Sequence, residues 1–410
     1  MSVPLHLVYR TFASFDASFG QQRDAFRAGS PTYDLTLEPL DLEPLHRRMF
    51  AEGGLTDGSV DVFLCVTDWL PQAIARAGLV RLDEYLAAEP PDGWPDAWPP
   101  ALLGLQRDAA GAIYGLPYHD GPECFMYRAD LFEDPAEGAR FRARFGYDLR
   151  VPDTWGQFLD LARFFHRPDA GLAGCLIAAY PDAHNNVYDF LIHLWSRGGE
   201  LLDRGNRVAF DTSIARDALQ WYVDLAHRHG VTQPNPWEHD SIASGIQFAQ
   251  GRAAMMWNWC GFAAVADLPE SQVRGKVRVT QIPQGDGPAG VRASLNIYWV
   301  LTVPAGSRHP HAAYRFCRGA IGPAMDLATS LAGGNGCRLS TWSHPAVLRQ
   351  FPYYAAIPQI HQHTRTLPAI PRLAGLLDVL NRMVDDAMRL RKSVDLAIRD
   401  GAAEARDLLQ

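Results

Sequence analysis

The chain is expected to adopt an α/β fold, and three observations carry that expectation. Strand-like and helix-like segments alternate through the first third of the sequence. Val60–Val66 is apolar almost throughout, as befits a strand buried on both faces of a mainly parallel sheet. At 410 residues and 47% apolar content, the chain exceeds what one ordinary core accommodates, so two domains are expected.

The elements follow in order. Leu5–Tyr9 has strand character, and Phe15–Ala28 reads as a helix entered after Ser14 or Asp16. Asp34–Pro39 is a second strand, Leu42–Glu52 a helix, Val60–Val66 a third strand and Pro71–Ala77 a helix. Ligands of such sheets sit beyond the carboxyl ends of strands, which singles out Phe12–Asp16 and Thr67-Asp68-Trp69. Next comes an extended run, Ile113–Tyr118, in which Pro117 forbids helix and holds Leu116 extended. It leads past Tyr118, His119, Asp120 and Glu123 into a second extended run, Cys124–Tyr127. Thr154 is a good N-cap with Gln157 three residues on, as in a capping box.

The remainder is mostly helical. Trp155–Phe165, Asn186–Arg197, Ile214–His229 and Ser241–Gln250 repeat apolar residues at helical spacing. Ala253–Trp257, Val277–Ile282 and Leu295–Val303 are strand-like, and Ala312–Ala320 returns to helix. Leu373–Leu390 places Leu376, Leu377, Leu380, Val384, Ala387 and Met388 on one face, and Val394–Leu409 forms a last helix. Pro90–Pro100 reads as a surface loop.

Several function classes find no support. A net charge of −8 argues against nucleic acid. Six cysteines stand singly without a CxxC pair, so buried free thiols are expected rather than zinc or a redox pair. No phosphate loop, metalloprotease helix, nucleophile elbow or calcium loop occurs. His361 and His363 lack a third metal ligand, so neither cofactor nor metal is expected. Residues 1–12 lack the pattern of a secretory leader, and no apolar run approaches a membrane span.

What remains is a set of polar and aromatic clusters at element ends: Phe12–Asp16, Thr67–Trp69, Tyr118–Asp120, Ala179–Asp189, Trp257–Trp259, Leu295–Trp299 and Gly333–Arg338. Amide, carboxylate and guanidinium groups pair with vicinal hydroxyls, and aromatic faces cover the C–H faces of a sugar ring. A neutral polyhydroxylated ligand needs that mixture.

Several motifs resemble a known family in its own order. They are VDVFLCVTDWLPQAIARAGLVRLDEYL (Val60–Leu86), GAIYGLPY, MYRADLF, VPDTWGQF, RGGELLD, FAQGRAAM and the terminal LPAIPRLAGLLDVLNRMVDDAM. The chain resembles the solute-binding proteins of ATP-driven sugar importers, the group that includes maltodextrin-binding protein. That resemblance implies a type II periplasmic-binding-protein fold: two hinge-linked α/β lobes with mixed, mainly parallel sheets and extra C-terminal helices. The lobes would comprise 1–117 with 279–305, and 118–278 with 310–410. Crossings would fall near Leu116–Pro122, Val279–Pro283 and Val303–Pro310.

It further implies capture of a small carbohydrate or polyol in a cleft by hinge closure, without catalysis, and delivery to an ABC permease. A monomer outside the cytoplasm is expected, although the absent leader leaves the cytoplasm open. Ser14, Asp16, Thr67 and Asp68 would line the first lobe, with Tyr118 and Asp120 at the hinge. Asn186, Tyr188, Trp257, Asn258 and Trp259 would line the second, joined by Asn296, Tyr298, Asn335 and Arg338. Leu376 and Leu377 stand where maltodextrin binders carry aromatic platforms, which favours a short ligand.

Each position also has a plainer reading. Asp68 could cap the following helix, Trp257 and Trp259 could share a core face, and Tyr188 could pack. Asn296 and Tyr298 could be strand interior, Asn335 a turn residue, and His119 a structural histidine. Arg338 could pair with a carboxylate or bind an acidic ligand. A glycoside-processing enzyme on the same fold and a cytosolic sugar sensor are the alternative functions.

Overall fold

The computed structural model describes residues 2–108 and 110–410, so Met1 and Ala109 lie outside the described residues. The strands in chain order are β1 (Val3–Arg10), β2 (Tyr33–Leu40), β3 (Val62–Val66), β4 (Leu116–His119), β5 (Glu123–Arg128), β6 (Ala173–Leu176), β7 (Ala253–Trp259), β8 (Val277–Thr280), β9 (Ser294–Leu295), β10 (Trp299–Thr302) and β11 (Thr364–Arg365). They belong to two compact units. The first comprises 1–121, 297–355 and 366–373, and the second 122–296, 356–365 and 374–410.

The first unit is built on a five-stranded sheet ordered β2-β1-β3-β10-β4. β1 runs parallel to β2 and β3, and β10 is antiparallel to both β3 and β4. β3 is buried at every position, which explains its uninterrupted apolar sequence. The helix Ala13–Gly29 covers the sheet through Phe15 and Phe19. Helices Pro310–Ala320 and Pro323–Leu331 pack against it, with the Phe26 and Phe316 rings 5.5 Å apart. The Gln22 side-chain amide donates to Thr329 Oγ1 at 3.0 Å.

The second unit has a four-stranded sheet ordered β6-β7-β5-β8 and a small β11-β9 ladder. Thr154 caps the helix Trp155–Phe165, accepting from the Gln157 N–H, while Gln157 Oε1 accepts from Asp153 N–H. Trp155 is wholly buried, and its indole donates to Ser196 Oγ at 2.9 Å. Leu376, Leu377, Leu380, Val384, Ala387 and Met388 of the helix Leu373–Met388 are all buried, as the periodicity predicts.

The chain division departs from expectation after the first crossing. The step at Gly121/Pro122 falls in the expected segment, but the second falls at Asn296/Ile297 rather than Val279–Pro283. β8 pairs with β5 and so stays in the second unit. Residues 310–355 belong to the first unit, not the second, because their helices pack on Ala13–Gly29. Later steps occur after residues 355, 365 and 373 rather than at Val303–Pro310. The expected strand Leu295–Val303 is two strands, interrupted where the chain changes unit. The first helix begins at Ala13 with Phe12 as N-cap, so neither Ser14 nor Asp16 caps it. All six cysteines are buried, and none forms a disulfide among the described residues.

Gly174 gives a direct test of the packing. A Cβ there would lie 2.0 Å from the Ala162 carbonyl oxygen, so Gly174→Ala is expected to cost about 3 kcal/mol or more in denaturant unfolding. Gly138, in the helix Pro135–Phe145 with nothing within 4 Å of its added Cβ, is the control. There Ala is neutral or stabilising by up to about 1 kcal/mol.

Candidate functional site

In the first unit, the strand register brings the expected segments to one end of the sheet. Trp299, the first residue of β10, lies opposite both Val66 and His119, the last residues of β3 and β4. β1 is parallel to β3, so Phe12–Asp16 leaves from the same end. Thr67–Trp69, His119–Asp120 and Trp299 therefore share one edge with the start of the first helix.

The glycine-rich segment Gly333–Arg338 completes this edge. Asn335 N–H donates to His119 Nδ1 at 2.9 Å, and Asn335 O accepts from Asp120 N–H at 2.7 Å. Asp326 holds the segment from below, accepting from the N–H groups of Cys337 and Arg338 and from Thr341 Oγ1. Burial pushes the Asp326 carboxyl up to about 6, against the pull of those hydrogen bonds. Gly336 permits the close approach, since a Cβ would sit 2.6 Å from both Asp326 Oδ2 and Ser330 Oγ.

Because a backbone N–H can only donate, His119 Nδ1 is the acceptor and Nε2 carries the proton. Burial lowers the imidazole to about 4, opposed by the charge of Asp120, so the ring is neutral. Asn335 Oδ1 accepts from Tyr353 OH at 2.5 Å, whereas its Nδ2 is buried without a partner. Ser14 is half-buried beside Gly333, Asp16 is exposed and accepts from Tyr9 OH at 2.7 Å, and Asp68 and Asp120 are buried. Trp69 is the N-cap of the helix Leu70–Ala75.

Four expected ligand residues of this unit serve the structure instead. Tyr118 stacks on Phe19 at 4.6 Å, and its hydroxyl bonds Ser18 and Gln22 of the first helix, because alternation along β4 turns it toward the core. Tyr298 is wholly buried, its hydroxyl donating to Leu102 O at 2.7 Å. Thr67 Oγ1 accepts from Tyr298 N–H and so continues the strand pairing. Arg338 is buried, and the charge of Asp326 acts on it without a direct ion pair. Its guanidinium stacks on Trp98 at 4.4 Å and donates to the carbonyls of Asp92 and Ile321, pinning the loop Pro90–Pro100. Trp299, outside the expected set, is half-buried at the sheet end with its ring edge-on to Phe15 and Trp69.

The second unit gathers its residues in the same manner. Glu123, the first residue of β5, lies opposite Trp259, the last of β7, and β6 ends nearby through Leu176 paired with Met256. The chain then runs to the helix Asn185–Ser196, whose entry is fixed by Asp182 accepting from His184 and Asn185. Asn186 follows. Its Nδ2 donates to Asn381 O at 3.2 Å, and its Oδ1 is buried without a partner. Asn296 Oδ1 is likewise buried without a partner, while its backbone N–H donates to Arg365 O. Tyr188 is buried with its ring edge-on to His184 and Trp259, and Trp259 is half-buried.

Two expected residues here are structural. Trp257 donates to Asp189 Oδ1 at 2.6 Å and packs edge-on against Trp155, so of the two alternating tryptophans it is the core member. Asn258 is used by its own strand end, donating to Ser241 O and accepting from Trp259 N–H. Among the described residues no group of three or more His, Cys, Asp or Glu could hold a metal ion, and no helix is long and apolar enough to cross a membrane.

Residues 13–324 match the family of bacterial extracellular solute-binding proteins, well over half of the chain. The chain belongs to that family. A mannitol-binding protein of Pseudomonas aeruginosa is 26% identical to this solute-binding protein over 269 residues, 63% of this chain and 56% of that relative. The match thus spans little more than half of the relative's length. A probable amino-acid ABC transporter periplasmic-binding protein of Sinorhizobium fredii is 22% identical over 363 residues, covering 85% of this chain and 76% of that protein. Among solved structures, maltose-bound MalE3 of T. maritima superposes with a TM-score of 0.87 at 23% identity, over 99% of this chain and all of that one. A solute-binding protein of Agrobacterium radiobacter K84 in complex with ribitol gives 0.87 at 21% identity, over 99% and 98%. These likenesses establish the two-lobed fold.

Two outcomes test the geometry. The folded chain binds fewer protons at His119 than the unfolded chain between pH 6.5 and about 4. Its contribution is therefore complete above pH 6.5 and lost as pH falls through that window, by at most about 3 kcal/mol. In His119→Asn, which keeps the acceptor for Asn335 N–H, this part of the acid destabilisation disappears from pH-dependent unfolding. Arg338→Met leaves the carbonyls of Asp92 and Ile321 without their donor, and is expected to cost about 2–4 kcal/mol and to open Pro90–Pro100 to limited proteolysis.

Proposed function

We propose that this solute-binding protein captures a small neutral carbohydrate or polyol and delivers it to an ABC permease, without transforming it. Enclosing the ligand would exclude water from the hydrogen bonds. The reading places the protein on the outer side of the cytoplasmic membrane, as a monomer.

One observation carries it. Asn335, Asn186 and Asn296 each keep one buried amide atom without a partner, a donor in the first and an acceptor in the other two. Leaving such atoms bare costs about 1–3 kcal/mol each, so they call for a ligand or water that offers both acceptors and donors. Vicinal hydroxyls do both. Half-buried Trp299 and Trp259 at the sheet ends offer faces for a C–H surface. Neutrality is supported by Arg338, whose guanidinium stacks on Trp98 and donates to two carbonyls. Small size is supported by Leu376 and Leu377, both buried rather than available as platforms. Relatives described as binding mannitol, ribitol and maltose point to the same chemistry.

The contributing residues in this reading are Ser14, Asp16, Asp68, Asp120 and Asn335 of the first unit, and Asn186, Tyr188, Trp259 and Asn296 of the second. His119 adds its Nε2–H and Trp299 its ring.

A thermal-shift panel containing D-mannitol, ribitol and maltose at millimolar concentration tests the function. A ligand with a micromolar Kd stabilises by about 4 kcal/mol at 1,000 times that concentration. Asn335→Ala and Asn186→Ala are each expected to weaken binding about tenfold or more in calorimetry. A panel in which no sugar or polyol raises the melting temperature overturns the reading.

A further inference from the structure

Two carboxyl groups are buried at and beneath the site end of the second unit's sheet. Glu123 is 4% exposed and Asp189 is 3% exposed. The negative charge of Asp189 acts on Glu123, and no Lys or Arg acts on either group. Two buried carboxylates without a cation cannot both ionise near neutral pH.

Hydrogen bonding decides which of them holds the proton. Asp189 Oδ1 accepts from Trp257 Nε1 at 2.6 Å, its Oδ2 accepts from Tyr222 OH at 2.7 Å, and the Ala178 backbone N–H also serves it. Three donors stabilise an anion. No side-chain hydrogen bond reaches the Glu123 carboxyl among the described residues, and Ser294 Oγ donates to its backbone carbonyl instead. Burial also pushes both carboxyls up, Glu123 further because the Asp189 charge adds to it.

The buried titratable groups around Asp189 supply no charge. Tyr222, from the helix Ser213–His227, and Cys175, from β6, are both held neutral by burial. His193, whose ring lies 5.2 Å from Trp257 and 5.5 Å from Tyr222, is pushed down by burial and stays neutral.

We propose that Glu123 keeps its proton near neutral pH while Asp189 carries the charge of the pair, and that the neutral Glu123 carboxyl donates a hydrogen bond to the bound solute, so that affinity falls as pH rises. The second half rests on the functional reading above; the first does not. Glu123 sits opposite Trp259, at the sheet end where that ring is half-buried. A protonated carboxyl offers one donor and one acceptor, the pair a hydroxyl can use. Once the proton passes to bulk water, the group becomes a second buried anion beside Asp189 and loses its donor. Affinity then drops about tenfold for each pH unit above the midpoint.

The test labels the glutamate Cδ atoms of the full chain with 13C and titrates them by NMR without ligand. The signal missing from Glu123→Gln identifies Glu123. Should that variant not fold, Asp189→Asn identifies it as the glutamate whose midpoint falls when the neighbouring charge is removed. The expected result is a protonated Glu123 at pH 7, with a midpoint well above those of exposed glutamates. Titration of Glu123 together with the exposed glutamates overturns the proposal.

Calorimetry with D-mannitol, or with whichever panel member raises the melting temperature, then compares pH 6 with pH 9. The wild-type chain is expected to bind about tenfold or more weakly at the higher pH, and Glu123→Gln, which keeps a donor but cannot ionise, to lose that dependence. An equal pH dependence in both overturns the proposed contact. A retained Glu123 proton in a chain that binds no panel member overturns only the functional reading.

Discussion

The first unit's site depends on the carboxyl of Asp326. Removed from water, that group must find donors, and it finds them in the backbone N–H groups of Cys337 and Arg338 and in the Thr341 hydroxyl. Those bonds fix Gly333–Arg338, and through that segment Asn335 is presented to His119 and Asp120 at the end of β4. The neutral state and tautomer of His119 follow from the same contact. Arg338 leaves the segment in the other direction and holds the loop Pro90–Pro100. One buried acid thereby sets the positions of a donor amide, an imidazole and a distant loop.

Asp189 has the corresponding position in the second unit. It ties Trp257 of β7 and Tyr222 of a separate helix to the helix Asn185–Ser196, which also carries Asn186 and Tyr188. Both anchors are buried acids whose oxygens accept several hydrogen bonds, with the charge of Arg338 acting in addition on Asp326.

Local chemistry made much of the fold legible. Strand-like runs located β1 and β2, an almost continuous apolar run located β3, and Thr154 with Gln157 marked a helix start that the structure closes as a cap. The site clusters were legible as segments, because each follows a strand end, but often not as residues. Tyr118 and His119 are neighbours on β4, and a sequence does not say which face of a strand meets a helix. The same ambiguity separates Trp257 from Trp259. Glu123 and Trp299 were visible only as members of longer clusters, since what distinguishes them is burial and register.

The sequence by itself determined the α/β class, the order of the elements and the polar, aromatic character of the strand ends. These depend on periodicity and on residue chemistry over short spans. The tertiary structure alone decided where the chain passes between units, which side chain of each pair faces the core, and that Arg338 holds a loop. Those outcomes depend on pairings distant in sequence, such as β10 inserting between β3 and β4, or Gln22 meeting Thr329. No local pattern encodes such partners, because each is selected by the packing of the whole unit.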